Sequence, residues 1–321
     1  MPLRDLLTRP PALEQDGVLD YVAQGGRSVD YCGNFGEQWH RFRAIQIDSL
    51  SGSRESHQRF FAETGWSPDE LKGKTILDAG CGAGRFAEVA LECGANLVAA
   101  DLSVAAYACR QTLERFPQDR FLVLRADLFD LPLAPGSFDG IYSLGVLQHT
   151  PDPLAAIRRL APLLKPGGRL ATWVYEKRTA HLRRLQPRLW LRGLTKHWST
   201  AAKLRLARGL TAAFFPLGWA LSWLGRPGEL ASYFLPYAAR HHLGRGDLRR
   251  QWDYCVMDTL DWYGPVYELS QTEPDVRRTM AEAGLLNVHR TPARGMAIIG
   301  EAPAAAPQRI DVDNRALVTS A

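Results

Sequence analysis

One stretch constrains the fold more than any other: Leu77-Asp78-Ala79-Gly80-Cys81-Gly82-Ala83-Gly84-Arg85-Phe86. An apolar run breaks into three alternating glycines and then resumes as a helical pattern. Glycines let the backbone turn tightly and approach a ligand with no Cβ in the way. The helix that follows presents unpaired N–H groups, which suit an anion. The spacing disfavours two common ligands. A dinucleotide loop G-x-G-x-x-G requires glycine at position 85, where this chain has arginine, and a P-loop requires Gly-Lys-Ser/Thr. NAD and ATP are therefore both poor fits.

Around this loop, short apolar runs alternate with helical patterns. Residues 75–79, 96–102, 121–126, 138–144 and 169–175 read as strands, and Lys165-Pro166-Gly167-Gly168 as a turn. Helices are expected over 54–64, over 85–93 closed by Gly94, from Ser103 to Phe116, and from Asp152-Pro153 to Leu164. Thr272-Glu273-Pro274 caps a further helix ending at Gly284, and residues 286–290 and 296–299 read as closing strands. The fold class this predicts is α/β: a doubly wound, Rossmann-like, seven-stranded, mostly parallel sheet with an antiparallel closing strand. A helical insertion falls between strands five and six.

Three strand ends then carry Asp78 with Gly80, Asp101 and Asp127, and in an open α/β sheet such ends line the ligand crevice. An acid at position 101 suits both hydroxyls of a ribose. Asp127 suits the exocyclic amine of an adenine, with Leu102 and Leu128 on either face of the base. Blander uses stay open: Asp78 capping the next helix, glycines that merely permit close packing, and a solvated Asp127.

With these residues in place, the chain over 74–175 resembles the core of a class I S-adenosylmethionine-dependent methyltransferase of the bacterial small-molecule type. The matching residues are Asp78-x-Gly80-x-Gly82-x-Gly84, Asp101, Ala126-Asp127, Phe138-Asp139-x-Ile141 and Leu164-Lys165-Pro166-Gly167-Gly168. Phe35–Trp39 and Asp258–Tyr263 resemble segments of a bacterial subgroup. The resemblance implies S-adenosyl-L-methionine as cofactor, S-adenosyl-L-homocysteine as product and no metal. It places the methionine part on the glycine loop, the ribose on Asp101 and the adenine edge on Asp127. Strand four, with Ser143, then passes beside the sulfonium, and His149 is the candidate base for an acceptor hydroxyl. A histidine that merely hydrogen-bonds its own loop is the alternative. Tyr31, Trp39, Asp258, Asp261, Trp262 and Tyr263 are candidates for the acceptor wall, in a region expected to be irregular; an aromatic plug on the sheet is the alternative. The implied organisation is a lid or helical segment over 1–70, the cofactor-binding core over 71–176, the insertion over 177–247, the end of the fold over 248–301 and a disordered tail over 302–321.

Charge singles out the insertion. The chain has 39 Lys and Arg against 34 Asp and Glu, and 11 of those bases, with no acid, lie between Lys177 and Gly228, so the remainder is net negative. Arg183, Arg184, Arg188, Arg192, Lys196, Lys203, Arg205 and Arg208 are interleaved with Leu and Trp, ahead of the apolar run Gly209–Gly225 that contains Pro216. That run is too short and broken for a membrane span and reads as an apolar hairpin. The segment 181–225 is expected to cap the acceptor pocket, to make a peripheral membrane contact, or both; nucleic acid is the least favoured partner. Five cysteines without a C-x-x-C pair, and a polar start with no apolar signal core, are read as cytoplasmic, with a peripheral inner-membrane position open. The expected activity is methyl transfer to an oxygen or carbon of a small-molecule or lipid- or glycan-linked acceptor. The alternatives are an RNA-directed methyltransferase and a non-catalytic partner subunit.

Overall fold

The apolar runs of the sequence become the centre of a nine-stranded sheet. A computed structural model of the chain describes residues 2–22, 31–177, 187–239 and 248–304. Arg183, Arg184 and the tail from 305 onward lie outside the described residues. The strands are β1 (Leu13–Gln15), β2 (Val18–Asp20), β3 (Thr75–Ala79), β4 (Asn96–Asp101), β5 (Phe121–Arg125), β6 (Phe138–Leu144), β7 (Leu164–Val174), β8 (Leu286–Arg290) and β9 (Met296–Glu301). Their order is β1-β2-β5-β4-β3-β6-β7-β9-β8. Strands β2 to β7 pair in parallel, and β9 runs antiparallel to both β7 and β8.

Side chains alternate across the sheet with period two, and both faces are covered. Leu77, Val98, Ala100, Leu122 and Leu124 join one buried cluster, which reaches Ile157 and Met280 on two helices. Ile76, Leu97, Ala99, Phe121 and Val123 join the other, with Phe60, Phe86 and Ala106. A chain buried on both faces needs near-continuous apolar strands, which is what the sequence offers.

The seven expected strands are present, and an N-terminal hairpin adds two more. Asp16 (φ 50°) and Gly17 (φ 73°) make its turn, the mirror-image type whose twist matches the strands it joins. Strand β2 then pairs with β5, and Asp20 meets Arg125 at 2.9 Å. The expected turn at residues 165–168 lies within β7 as a kink. Gly167 has φ +76°, the register with β6 shifts there, and a Cβ on Gly168 would stand 3.0 Å from the Phe138 carbonyl oxygen. The helix opened by Asp152, whose side chain accepts from the N–H groups of Leu154 and Ala155, ends at Leu160, short of Leu164. Pro162 follows at once, and Ala161–Leu163 finish as a 3-10 turn.

Between β7 and β8 lie the helices Pro187–Thr195, Thr200–Ser222, Arg226–Ser232 and Leu248–Tyr263. Two expectations are corrected here. The apolar run is no hairpin: one helix continues through Pro216, which costs a single backbone hydrogen bond on an exposed side. Residues 258–263 are not irregular. They close a helix whose buried positions Cys255, Val256, Thr259, Leu260 and Tyr263 recur at helical spacing. Among the described residues no helix is long and apolar enough to cross a membrane.

Candidate active site

The glycine loop leaves β3 with its first two N–H groups, of Gly80 and Cys81, donating to the Ala100 carbonyl at the end of β4 (2.8 and 3.0 Å). Gly80 turns at φ +99°, and an added Cβ would lie 2.4 Å from a Val146 methyl, so the loop and the segment after β6 touch with no room between them. Asp101 fastens the arrangement. Its Oδ2 accepts from the Gly82 N–H at 2.9 Å, while Oδ1 accepts from the N–H and hydroxyl of Ser103 at 2.8 and 2.7 Å. Burial pushes the Asp101 carboxyl up, opposed by those hydrogen bonds.

A cavity of about 270 Å³ opens on this loop. Gly80, Gly82, Asp101, Leu102 and Leu128 line it, together with His149, Tyr31, Trp39, Asp258 and Asp261. The helix Gly33–Gln46 supplies the facing wall, with the Trp39 indole nitrogen 3.3 Å from where a Gly82 Cβ would stand. Six residues expected at the site stand outside the lining. Asp78 is buried behind the loop, paired in register with Tyr142, and burial pushes its carboxyl up to about 8. The Ser143 hydroxyl donates to the Ala79 carbonyl at 2.7 Å, tying β6 to β3. Gly84 turns into its helix at φ +87° against the Cys109 side chain. Asp127 accepts from the Phe129 N–H at 3.0 Å; it stands close enough to Tyr31 for its charge to add to the burial that raises that phenol. Trp262 packs under the Arg188 guanidinium at 4.9 Å and lines a neighbouring cavity, and the Tyr263 hydroxyl donates to the Pro236 carbonyl at 2.8 Å. Helical geometry explains this last pair: Asp258 and Asp261 share a face, and the next two residues point elsewhere.

His149 is 9% exposed, on a 3-10 turn (Leu147–His149) after β6. Its Nδ1 lies 3.0 Å from the Tyr267 carbonyl oxygen, which only accepts, so the proton sits on Nδ1 and Nε2 carries the free lone pair. Burial holds its pKa below the usual histidine range, partly offset by the Asp261 carboxylate and the Tyr267 carbonyl. Its ring packs between Phe35 (4.9 Å) and Tyr175 (5.5 Å). Asp261 is itself pushed up by burial and accepts a long hydrogen bond of 3.4 Å from the Tyr175 hydroxyl.

Several further residues line the cavity. Arg59 and Arg85 both line it near the glycine loop, their guanidiniums 5.6 and 4.9 Å from the Phe86 ring centre. Arg59 pairs with Glu63 at 2.9 Å, and the Arg85 Nε donates to the Ser56 hydroxyl at 3.2 Å. Burial and the neighbouring Arg59 lower Arg85 to about 10, so it stays charged at neutral pH. Gln46 and Gln148 also line the cavity. Arg85 directly follows the glycines and Gln148 directly precedes His149, so both had a signal in the sequence; Arg59 had none.

A parallel sheet of this order, with a glycine loop and an acid at adjacent strand ends, defines a class I S-adenosylmethionine-dependent methyltransferase fold. Residues 77–172 match the methyltransferase domain family. The chain is similar to the ubiquinone biosynthesis O-methyltransferase of Xanthomonas campestris pv. campestris (strain B100), at 42% identity over 103 residues, 31% of this chain and 42% of the relative. The same enzyme of Xanthomonas euvesicatoria pv. vesicatoria (strain 85-10) is 41% identical over 104 residues, 32% of this chain and 43% of the relative. The chain thus spans less than half the length of these curated relatives. Among solved structures, magnesium protoporphyrin IX methyltransferase from Synechocystis PCC 6803 with bound SAH aligns with 86% of this chain and 97% of its own, at 19% identity and a TM-score of 0.46.

Proposed function

We propose that the chain methylates an oxygen of a small-molecule acceptor with S-adenosylmethionine. The observation that carries this reading is the shared cavity: the loop clamped by Asp101 and a histidine with a free Nε2 line one space. The residues fit the cofactor. The glycine turns keep side chains off the loop, and the buried Gln46 Oε1 has no hydrogen-bond partner among the described residues. Arg59 and Arg85 would take the methionine carboxylate, Asp101 the ribose hydroxyls, and Leu102 and Leu128 the faces of the adenine, with Asp127 at its edge. Asp78, Gly84 and Ser143 would support the loop from behind. Tyr31 and Trp39, beside and on the helix Gly33–Gln46, would close over it as a lid.

When bound, S-adenosylmethionine supplies an electrophilic methyl group and leaves as S-adenosylhomocysteine, the carbon–sulfur electron pair staying on sulfur. His149 Nε2 takes the acceptor's proton as the acceptor oxygen bonds to the methyl carbon. Asp261, close to the ring, stabilises the imidazolium that results. The remaining work is orientation and exclusion of water by the aromatic wall. The name of the Xanthomonas relatives supports oxygen over carbon.

A second reading concerns the insertion. The bases are not uniformly free: Lys203 is buried and its Nζ donates to the carbonyls of Lys196 and Gly264 (3.0 and 2.9 Å), and Arg192 pairs with Glu268. Lys196, Arg205 and Arg208 are exposed, as are Trp190 (72%), Trp223 (76%) and Leu224 (63%). Exposed tryptophans beside bases favour a peripheral contact with an anionic membrane, alongside the role of a cap.

The function is tested by calorimetric titration with S-adenosylmethionine, with NADH and Asp101→Ala as controls. Binding that Asp101→Ala abolishes and NADH does not reproduce is the expected result. A folded, ligand-free sample that binds no S-adenosylmethionine overturns the function.

A further inference from the structure

Gln148 is fully buried, lines the cavity, and neither its Oε1 nor its Nε2 has a hydrogen-bond partner among the described residues. Leaving a carboxamide buried and unpaired on both atoms is costly, so a group of this kind at a cavity wall calls for a partner. Its backbone is pinned. The Gln148 carbonyl accepts from the Leu269 N–H at 2.8 Å, and the flanking His149 and Thr150 N–H groups close the 3-10 turn onto Val146 and Leu147 (2.8 and 3.0 Å). The side chain is therefore delivered from a rigid support. Gly145 borders it: a Cβ there would stand in ordinary contact, 4.0 Å from the Gln148 Nε2 and 3.8 Å from the Trp173 ring.

The rings beside it form a continuous wall. Trp173 meets Tyr175 at 5.6 Å, Tyr175 meets His149 at 5.5 Å, and His149 meets Phe35 at 4.9 Å. Such a wall accepts a flat ring. Charges of both signs act on this part of the cavity: the Asp261 carboxylate and the Arg192 guanidinium on His149, and the Arg59 guanidinium 5.7 Å from the Trp173 ring. A carboxamide presents one donor and one acceptor side by side.

We infer that Gln148 is the specificity-determining residue for the methyl acceptor, and that the acceptor is a flat ring with a proton donor and a hydrogen-bond acceptor on neighbouring positions. This rests on the methyltransferase reading above. Oε1 takes the donor, Nε2 gives to the acceptor, and the substituent to be methylated is held beside His149.

The test uses the full chain loaded with S-adenosylhomocysteine, whose binding is verified first by calorimetry. Loaded protein is then titrated with 2-pyridone, which carries the adjacent pair, with N-methyl-2-pyridone, whose donor is blocked, and with phenol, which lacks the second group. The expected result is 2-pyridone binding about tenfold tighter than either control. In Gln148→Leu that preference falls to about twofold or less, while S-adenosylhomocysteine still binds. Gln148→Glu, of the same shape but without the donor, loses the preference too, and serves if the leucine variant does not fold. Equal binding of the three probes, no binding of any, or a preference that survives Gln148→Leu overturns the inference. Failure of S-adenosylhomocysteine itself to bind is a separate outcome and counts against the methyltransferase function.

Discussion

His149 shows how a neighbour sets the role of a titratable group. A carbonyl on Nδ1 leaves Nε2 as the only site for a proton, and burial keeps the ring neutral at physiological pH. A neutral ring is the active form, so kcat/KM should rise with pH through one ionisation lying below 6.5, the ordinary histidine value. His149→Ala is expected to lower kcat by roughly 10²- to 10⁴-fold, the range for a general base, and to remove that acidic limb. A pH–rate profile checks both; a limb that survives the alanine variant assigns the base elsewhere. Asp101 and Asp78 look alike in the sequence, each ending a strand, yet one lines the cavity and the other is sealed beneath it. Both point to the same face of the sheet, because Asp78 pairs with Ala99, two residues before Asp101; Asp101 stands at the very end of β4, at the cavity, and Asp78 lies further back in the sheet. The acids were legible in the sequence, and their different surroundings were not.

At the scale of elements, the site depends on contact between the glycine loop and the segment after β6. Gly80→Ala combines a left-handed backbone with a Cβ 2.4 Å from Val146. The expected loss is about 3 kcal/mol of stability, read as a lower melting temperature. Val146→Ala in the same chain should recover part of it, because it removes the methyls that clash while the backbone strain persists. A double variant no more stable than Gly80→Ala alone would show that strain, not contact, dominates. The β1–β2 hairpin carries one local signal, the Asp16-Gly17 turn, but its strands have only three residues each and the first, Leu13-Glu14-Gln15, is exposed and has no apolar run. Residues 258–263, expected to be irregular, close the helix Leu248–Tyr263 instead, and the reason they hide it is different. Acids and aromatics crowd its last turn, and only the burial of Cys255, Val256, Thr259 and Leu260 against neighbouring helices shows the helical period.

Across the whole molecule, a basic insertion sits on an otherwise acidic chain, and its outer surface mixes exposed bases with exposed tryptophans. If that surface meets a membrane, sedimentation with phosphatidylglycerol vesicles should exceed that with phosphatidylcholine vesicles and fall as salt is raised. Replacing Trp219 and Trp223, whose rings lie 5.8 Å apart, by serine should weaken it about tenfold. Equal binding to both vesicle types would leave the insertion as a cap alone. The succession of strands and helices along the chain, the glycine loop and the acid at the end of β4 followed from the amino-acid sequence itself, because they rest on local pattern: apolar period, turn residues, and the spacing of one βαβ unit. What lines the cavity was decided only by the tertiary structure. Arg59, Gln148, Tyr175 and Asp261 come from distant parts of the chain and meet because the sheet and the inserted helices bring their ends to one place. No local pattern records that meeting, since it depends on which face of each element is buried and against what.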